Sequence, residues 1–194
     1  MRTKRFSWLT ITPLFVFFMV SHTQASVFNV QDVDLQACLQ ELALINQWSQ
    51  PEDVIEVKCH NKDIRSLQGL EQFTHLESLS LYNNKLEHVD IDLSSFKQLI
   101  VLNLSRNDLV RLTITDLPKL NKTYLFNNAL KELNLSNLIN LEVLKANNNQ
   151  IENLSYSNLP KLEKMYIFNN QLETININDL PSLQYMDCRQ NPMP

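Results

Sequence analysis

The sequence predicts an α/β repeat solenoid, a right-handed coil with one parallel concave sheet and a helical cap at its N-terminus. Three observations lead to this prediction. A frame of evenly spaced aliphatic residues recurs from residue 54 to residue 194, an Asn returns at one phase of it, and the preceding segment has helical spacing. A recurrence of about 20–29 residues indicates units that bury their apolar faces against one another.

The frame is clearest between residues 120 and 154, where one unit is present twice. Its shared form is Leu-x-x-Leu-x-Leu-x-x-Asn-x-Leu, and the second unit follows the first after 21 residues. About seven copies start at residues 54, 76, 99, 120, 141, 162 and 183, so successive starts differ by 22, 23, 21, 21, 21 and 21 residues. The predicted repeat domain therefore spans residues 54–194.

Each copy contains one strand followed by one turn. Leu-x-Leu has the period of a β-strand, so both aliphatic side chains point to the core and the flanking residues point outward. Asn favours the turn because its amide bonds nearby backbone groups. We therefore predict a structural ladder of stacked Asn side chains, consisting of Asn84, Asn107, Asn128, Asn149, Asn170 and Asn191. The first copy has Lys62 at this phase.

These motifs resemble the leucine-rich repeat family, and the resemblance covers residues 54–194. The 21-residue period is similar to that of bacterial internalin-like proteins, as in internalin J, where a Cys recurs at the third aliphatic position of the frame. Cys59 and Cys188 occupy that position here, but the other copies do not have Cys there, so the full cysteine ladder is absent. The resemblance implies a bacterial source and contact with host cells as one option.

Residues 1–25 have the features of a secretory signal peptide. Arg2, Lys4 and Arg5 precede an apolar run from residue 9 to residue 20, and small residues follow near Ala25. The run is too short for a typical membrane span, although an uncleaved anchor is the alternative. We therefore predict export, to the periplasm or the medium, without stable membrane insertion after cleavage.

The predicted mature chain is acidic. Cleavage after residue 25 lowers Lys plus Arg from 17 to 14 and leaves Asp plus Glu at 21, so the net charge changes from -4 to -7. No basic run remains. This charge argues against nucleic acid or an anionic membrane surface as the partner.

Residues 26–53 are predicted to form the helical cap. Apolar residues recur there at helical spacing, Asp32 or Asp34 is suited to cap the helix, and Pro51 follows its end. The apolar positions are Val33, Leu35, Cys38, Leu39, Leu42, Ile45 and Trp48. Cys38 and Cys59 are placed to form a disulfide in an exported protein, and two buried free thiols are the alternative.

The returning side of the later copies is predicted to contain a second, short strand. Residues 133–135, 154–156 and 175–177 again alternate apolar and polar side chains. Pro118, Pro160 and Pro181 share one phase after these segments, which suits a turn that needs no amide hydrogen.

The sequence contains no convincing catalytic or metal-binding constellation. His60, His75 and His88 fall at three different phases of the repeat, and a single glycine excludes a Gly-rich phosphate loop. We therefore predict a protein that is not an enzyme and that holds neither a metal nor a cofactor.

The candidate ligand-binding site is the concave face, because the outward residues of the strands combine aromatic rings with lysines in the middle copies. Such residues are typical of binding hot spots, although Tyr and Phe are also good strand formers. The predicted site consists of Tyr82, Lys122, Tyr124, Phe126, Lys145, Lys164, Tyr166, Phe168 and Tyr185.

Two functions remain open at this point. The first is an exported, non-enzymatic module that binds a protein or peptide, or else a glycan, on its concave face. The second is a periplasmic or envelope structural protein that self-associates through its C-terminal end. Met186, Cys188 and Met193 lie in or beside the last copy, no amphipathic helix follows them, and Cys188 remains as the odd thiol.

Overall fold

The computed structural model describes residues 28–89 and 92–193. The predicted signal peptide, residues 1–25, lies outside the described residues. The described chain begins with one helix, α1 (Val33–Asn46), which is followed by strands that alternate between two parallel sheets. The predicted fold class, a repeat solenoid with a helical cap, is confirmed.

Ten strands follow α1 within the described residues. They are β1 (Glu56–Lys58), β2 (Ser78–Ser80), β3 (Val101–Asn103), β4 (Arg111–Thr115), β5 (Lys122–Tyr124), β6 (Glu132–Ser136), β7 (Val143–Lys145), β8 (Asn153–Ser157), β9 (Lys164–Tyr166) and β10 (Tyr185–Asp187). Seven of them form the concave sheet in the order β1-β2-β3-β5-β7-β9-β10, and β4, β6 and β8 form a second sheet on the returning side.

The repeat frame sets the register of the concave sheet. The middle residue of each three-residue strand pairs with the middle residue of its neighbours, from Val57 through Thr123 to Met186. Most of these middle side chains are buried, together with the aliphatic residue two positions further on. Thr123 replaces a Leu and is fully buried, and its hydroxyl has no hydrogen-bond partner among the described residues.

Within residues 28–89 and 92–193, the second sheet appears only where the repeats are 21 residues long. The first two repeats, of 22 and 23 residues, return through 3-10 turns at Leu70–Gln72 and Leu93–Ser95. In the next three repeats the returning strands β4, β6 and β8 pair in parallel, and Leu112, Leu133 and Leu154 are paired positions of these strands.

The predicted second strand at residues 175–177 is wrong, because the chain there forms no strand. The side chain of Asn176 accepts a hydrogen bond from the backbone N–H of Asn178 at 3.0 Å. This local bond offers the backbone an alternative to the sheet ladder. Ile177 is consequently half exposed.

The helix α1 is tied to the first repeat by one carboxylate. Asp32 is its N-cap residue, and Oδ1 accepts from the N–H groups of Asp34 and Leu35 at 3.0 and 2.9 Å. Oδ2 accepts from the N–H groups of Arg65 and Ser66 at 2.7 and 3.2 Å. Both oxygens therefore satisfy backbone donors, one pair at the helix end and one pair in the first repeat.

The buried side of α1 is narrower than its sequence pattern indicates. Leu35, Cys38, Leu39 and Ala43 are buried, whereas Val33 and Ile45 are 77% and 69% exposed. The helix therefore contacts the first repeat along one stripe.

The predicted disulfide between Cys38 and Cys59 is confirmed. It joins the buried side of α1 to the residue after β1, and the two Cα atoms are 6.0 Å apart. The two cysteines are 21 residues apart in sequence, and a loop of that length contributes roughly 3 kcal/mol in the chain-entropy model. Cys188 is a free, half-buried thiol.

The Asn side chains predicted to stack each bond two consecutive coils. Asn149 shows the pattern: Oδ1 accepts from the N–H of Leu130 at 3.1 Å, while Nδ2 donates to the carbonyls of Leu125 and Ala146 at 3.0 and 3.1 Å. Leu125 and Leu130 belong to the coil before, and Ala146 to its own. The same bonds recur at Asn84, Asn107, Asn128, Asn170 and Asn191.

The residue before each ladder position adopts the left-handed backbone conformation. Its φ lies between 54° and 57° in all seven copies, at Asn61, Asn83, Arg106, Asn127, Asn148, Asn169 and Gln190. Asn tolerates this conformation better than most residues. Its exposed amides also form a second ladder, in which Asn148 donates to Asn127 at 2.8 Å and Asn169 donates to Asn148 at 3.0 Å.

Gly69, the single glycine in the chain, lies where the N-terminal segment crosses the first repeat. Its φ is 100°, and a Cβ added there would lie 2.5 Å from the carbonyl oxygen of Asn29 and 2.8 Å from Cα of Val30. Both the backbone conformation and the close approach therefore require glycine.

We expect Asn149→Ala to lower the free energy of unfolding by about 1–3 kcal/mol, because it leaves buried backbone groups without partners. Asn147→Ala is the matched control, since the Asn147 side chain makes no hydrogen bond to any described residue. Urea denaturation measures both. Equal unfolding midpoints for the two variants would contradict the role of the ladder.

We expect Gly69→Ala to destabilise the protein by an amount on the order of 1–3 kcal/mol, because an alanine is strained at this φ and contacts Asn29. Hydrogen exchange should show earlier loss of protection at the Gln31 amide, which donates to the Gln68 carbonyl at 3.1 Å. Thr74→Ala, at an exposed turn position, is the control. Unchanged exchange at Gln31 would disprove the steric argument.

Candidate functional site

The concave sheet presents two columns of outward side chains within the strands and a third just after them. The first column is Glu56, Ser78, Val101, Lys122, Val143, Lys164 and Tyr185, and the second is Lys58, Ser80, Asn103, Tyr124, Lys145, Tyr166 and Asp187. The third column is His60, Tyr82, Ser105, Phe126, Asn147, Phe168 and Arg189. All nine residues of the predicted site therefore belong to one face.

Lys145 lies between two tyrosine rings of that face. Its Nζ is 5.6 Å from the ring centroid of Tyr124 on β5 and 5.1 Å from that of Tyr166 on β9. Both distances are within the range of cation–π attraction. The parallel register produces this arrangement, because Tyr124, Lys145 and Tyr166 are paired positions of three neighbouring strands. All three side chains are half-buried.

A second group of rings lies towards the N-terminal strands. Tyr82 is 5.8 Å from the ring of His60 and 6.5 Å from the ring of Phe126, and the Arg106 guanidinium lies 5.6 Å above the Tyr82 ring. Tyr82 and Phe126 come from coils two apart. They meet because the coil between them has a small, buried Ser105 at the same position.

The remaining predicted residues extend this surface without joining the two groups by ring contacts. Tyr185 is 46% exposed and its ring lies 5.2 Å from that of Tyr166. Lys122 and Lys164 are exposed in the first column, and Phe168 is half-buried. The face therefore combines aromatic surface with cations across β2 to β10.

Sequence reasoning missed the pairing of His60 with Ser80. His60 Nε2 and Ser80 Oγ are 2.7 Å apart on neighbouring coils, and Ser80 is buried. Burial of the ring, and to a smaller extent the Lys58 ammonium, lower the pKa of His60. Residues 60 and 80 occupy adjacent columns of neighbouring copies, so the repeat could have indicated that they lie close together, but not their hydrogen bond.

Both ends of the sheet contain paired charges. Lys58 Nζ is 2.8 Å from Glu56 Oε1 on β1. Near β10, Arg189 donates from Nε and Nη2 to the two oxygens of Asp187, each at 2.8 Å. The hydrogen bonds from Arg189 hold the pKa of Asp187 below its usual range.

No group of three or more His, Cys, Asp or Glu residues within the described ranges is placed to hold a metal ion. Among residues 28–89 and 92–193, no helix has the length and hydropathy needed to cross a bilayer. The intramolecular disulfide fits an oxidising, extracytoplasmic location.

Comparison with known families agrees with the coil geometry. The family model described as Leucine Rich Repeat matches residues 75–99, which include β2 and the turn with Asn84. The chain therefore has the fold of a leucine-rich repeat solenoid. Leucine-rich repeat domains are commonly protein-interaction modules and are typically not enzymes. No curated protein sequence matches this chain significantly.

Solved structures of leucine-rich repeat proteins resemble this one. A leucine-rich repeat protein from Leptospira interrogans has 24% identity and a TM-score of 0.51, over 74% of this chain and 45% of that chain. At this identity the likeness shows the fold alone.

Two internalins from Listeria monocytogenes are also similar. The functional domain of InlJ, which includes a cysteine ladder, has 23% identity and a TM-score of 0.39, over 74% of this chain and 41% of that chain. Internalin C2 has 15% identity and a TM-score of 0.44, over 82% of this chain and 94% of that chain. The chain thus spans less than half the length of the InlJ and Leptospira chains. The predicted resemblance to leucine-rich repeat proteins is confirmed.

We expect the His60 ring to titrate below the ordinary histidine value of about 6.5, because burial disfavours its charged form. Folding therefore favours the neutral His60 ring. The contribution of His60 to the free energy of unfolding is fully present above the ordinary pKa and is lost as the pH falls through the lower pKa of the folded protein. NMR titration of native and urea-unfolded protein measures the pKa of His60 in each state. Lys58→Gln should raise the pKa of His60 in the native protein. A native midpoint at or above the unfolded midpoint would contradict this assignment.

Proposed function

We propose that this leucine-rich repeat protein is an exported, non-enzymatic recognition module that binds a protein or peptide on its concave face. In this proposal residues 1–25 are removed on export, residues 26–53 cap the coil, and residues 54–194 carry the binding surface. The predicted bacterial source gives contact with host proteins as one setting for such binding. A glycan ligand is the competing class.

The observation that carries the proposal is the partly exposed aromatic surface between β2 and β10. Tyr82 and Phe126 form one group, and Tyr124, Tyr166 and Tyr185 form the other around Lys145. None of these rings is needed to fill the core, because the buried positions of the concave strands lie on the opposite side and are mainly aliphatic. Interface hot spots are enriched in tyrosine.

The rigidity of the sheet supports binding. The strands are held by continuous parallel pairing on both sides from β2 to β9. Ring contacts and the position of Lys145 between two tyrosines further restrict these side chains. A surface that is already ordered loses less conformational entropy when a partner binds, so more of the contact energy appears as affinity.

Export is supported by two independent features. The N-terminal 25 residues have the charge and hydropathy of a signal peptide, and the disulfide between Cys38 and Cys59 is of a kind that persists in oxidising compartments. Periplasm and external medium are both compatible with these features.

The alternative is an envelope structural protein that self-associates through its C-terminal repeat. It is favoured by the exposed Tyr185 on β10 and by the free thiol of Cys188. Self-association of this kind would cover the rings with a second copy, whereas recognition requires a protein whose concave face is free in solution.

Selection from a random peptide display library tests the proposal. We expect the immobilised, full-length exported protein to enrich a family of peptides. We expect Tyr124→Ala with Tyr166→Ala to weaken their binding by about 30-fold, the equivalent of about 2 kcal/mol. The variant should fold normally, because both side chains point away from the core.

The matched control is Ile139→Ala with Ile177→Ala, which truncates two exposed aliphatic residues outside the concave sheet. It should bind the enriched peptides as wild type does. Full binding by the folded tyrosine variant would place the site elsewhere. Absence of any enriched peptide, together with concentration-dependent dimers in sedimentation, would favour the structural alternative.

A further inference from the structure

The middle strands of the concave sheet have an unbalanced positive charge. Residues 122–126, 143–147 and 164–168 contain three lysines and no acidic residue, in a chain with a formal net charge of -4. The half-buried acids Glu142 and Glu163 immediately precede β7 and β9, yet neither forms an ion pair with these lysines.

The two cations at the ends of the sheet are neutralised internally, which distinguishes the three lysines from them. Lys58 is paired with Glu56, and Arg189 is paired with Asp187. Lys122, Lys145 and Lys164 form no ion pair, and their Nζ atoms donate no hydrogen bond, to any residue in the described ranges. Their charge is therefore available to a partner.

The three lysine positions have a defined spacing along the backbone of the sheet. Lys122 and Lys164 occupy the same position of β5 and β9, with Val143 of β7 between them. Since parallel strands are about 4.8 Å apart, the two lysines are roughly 10 Å apart along the coil. Lys145 lies on β7 in the neighbouring column, so the three lysine positions form a triangle with Val143 at the middle of its Lys122–Lys164 side.

Lys145 is held in place before any partner arrives. The rings of Tyr124 and Tyr166 flank its Nζ at 5.6 and 5.1 Å. A lysine held in this way loses less side-chain entropy when it binds a carboxylate than a freely rotating one. The ammonium also occupies the faces of these two rings, which makes them less open to the stacking that a sugar ring would require.

We infer that the partner of the concave face is an acidic peptide segment in an extended conformation that crosses β5, β7 and β9. Its carboxylates would bind Lys122, Lys145 and Lys164, and its apolar side chains would contact Val143, Phe126 and Phe168. In the extended polyproline II conformation a peptide has three residues per turn and rises about 3.1 Å per residue, so acids at positions i and i+3 point to one side about 9 Å apart, close to the roughly 10 Å between Lys122 and Lys164. This inference rests on the proposed function.

The enriched library peptides provide the first measurement. We expect an excess of Asp and Glu over the unselected library, with acids preferred at positions i and i+3. A peptide family without excess acid would overturn the inference, while leaving the proposed peptide-binding function standing. The absence of any enriched peptide would overturn both.

The second measurement compares two synthetic peptides. One has the sequence of an enriched peptide, and the other, its amide twin, has every Asp and Glu replaced by Asn and Gln. We expect the acidic member to bind about tenfold or more tightly at low salt, and the difference to shrink as ionic strength rises. Equal affinities would overturn the inference. A labelled oligo-uronic acid is the third probe, and tighter binding of this probe than of the acidic peptide would replace the peptide with an acidic glycan.

Charge reversal at two exposed lysines locates the effect. Lys122→Glu with Lys164→Glu should lower affinity for the acidic peptide about tenfold or more and abolish its advantage over the amide twin. Lys85→Glu with Lys131→Glu makes the same change in net charge at exposed positions outside the concave sheet and should alter affinity little. Equal losses in both variants would show general electrostatic attraction and would overturn the assigned site. Circular dichroism and melting establish that both variants are folded.

Discussion

The structure depends on amide side chains that satisfy the inner turn of every coil. Each turn from strand to returning segment leaves buried backbone groups that the parallel sheet does not pair, and an unpaired buried group is costly. A ladder Asn bonds a backbone N–H of the coil before it and carbonyls of both coils, as Asn149 does with Leu130, Leu125 and Ala146. The same side chain therefore fixes the turn and the spacing between coils, so each repeat is stabilised mainly by its neighbours.

The direction of these bonds explains why the first copy differs from the others. Asn84 accepts from the N–H groups of Lys62 and Ile64, so the first coil is satisfied by the second and needs no Asn of its own. Lys62 instead reaches the carboxylate of Glu41 on α1, at 3.4 Å. The outer side of this coil is closed by Asp32 and by the disulfide. Side chains of the cap thus take the place of the missing repeat.

The sequence predicted the parts of the fold that follow from period alone. Residues at fixed phase, such as Leu79 and Asn84, showed the strand, the turn and their recurrence.

The sequence did not predict features that depend on contacts between distant segments, because no local pattern encodes them. Gly69 is required by a crossing segment 40 residues earlier, and Asp32 bonds backbone 33 residues later. The left-handed turn residue could have been predicted from the Asn-Asn doublets, because Asn tolerates that conformation and the first Asn of each doublet adopts it. At the candidate site the columns were predictable, whereas the ring contact across Ser105 depends on the curvature and side-chain conformations of the coil.

Because the core and the Asn ladder determine the fold, the outward residues of the concave sheet are free to vary without altering it. Their composition therefore bears on function more directly than that of any buried position. Folding alone gives no reason to collect three unpaired lysines on β5, β7 and β9 of an acidic chain, since like charges on adjacent strands repel one another. At β1 and β10 the same face neutralises its cations with Glu56 and Asp187. The lack of such partners in the middle strands, beside rings that already hold Lys145 in position, is what a surface for an anionic partner requires.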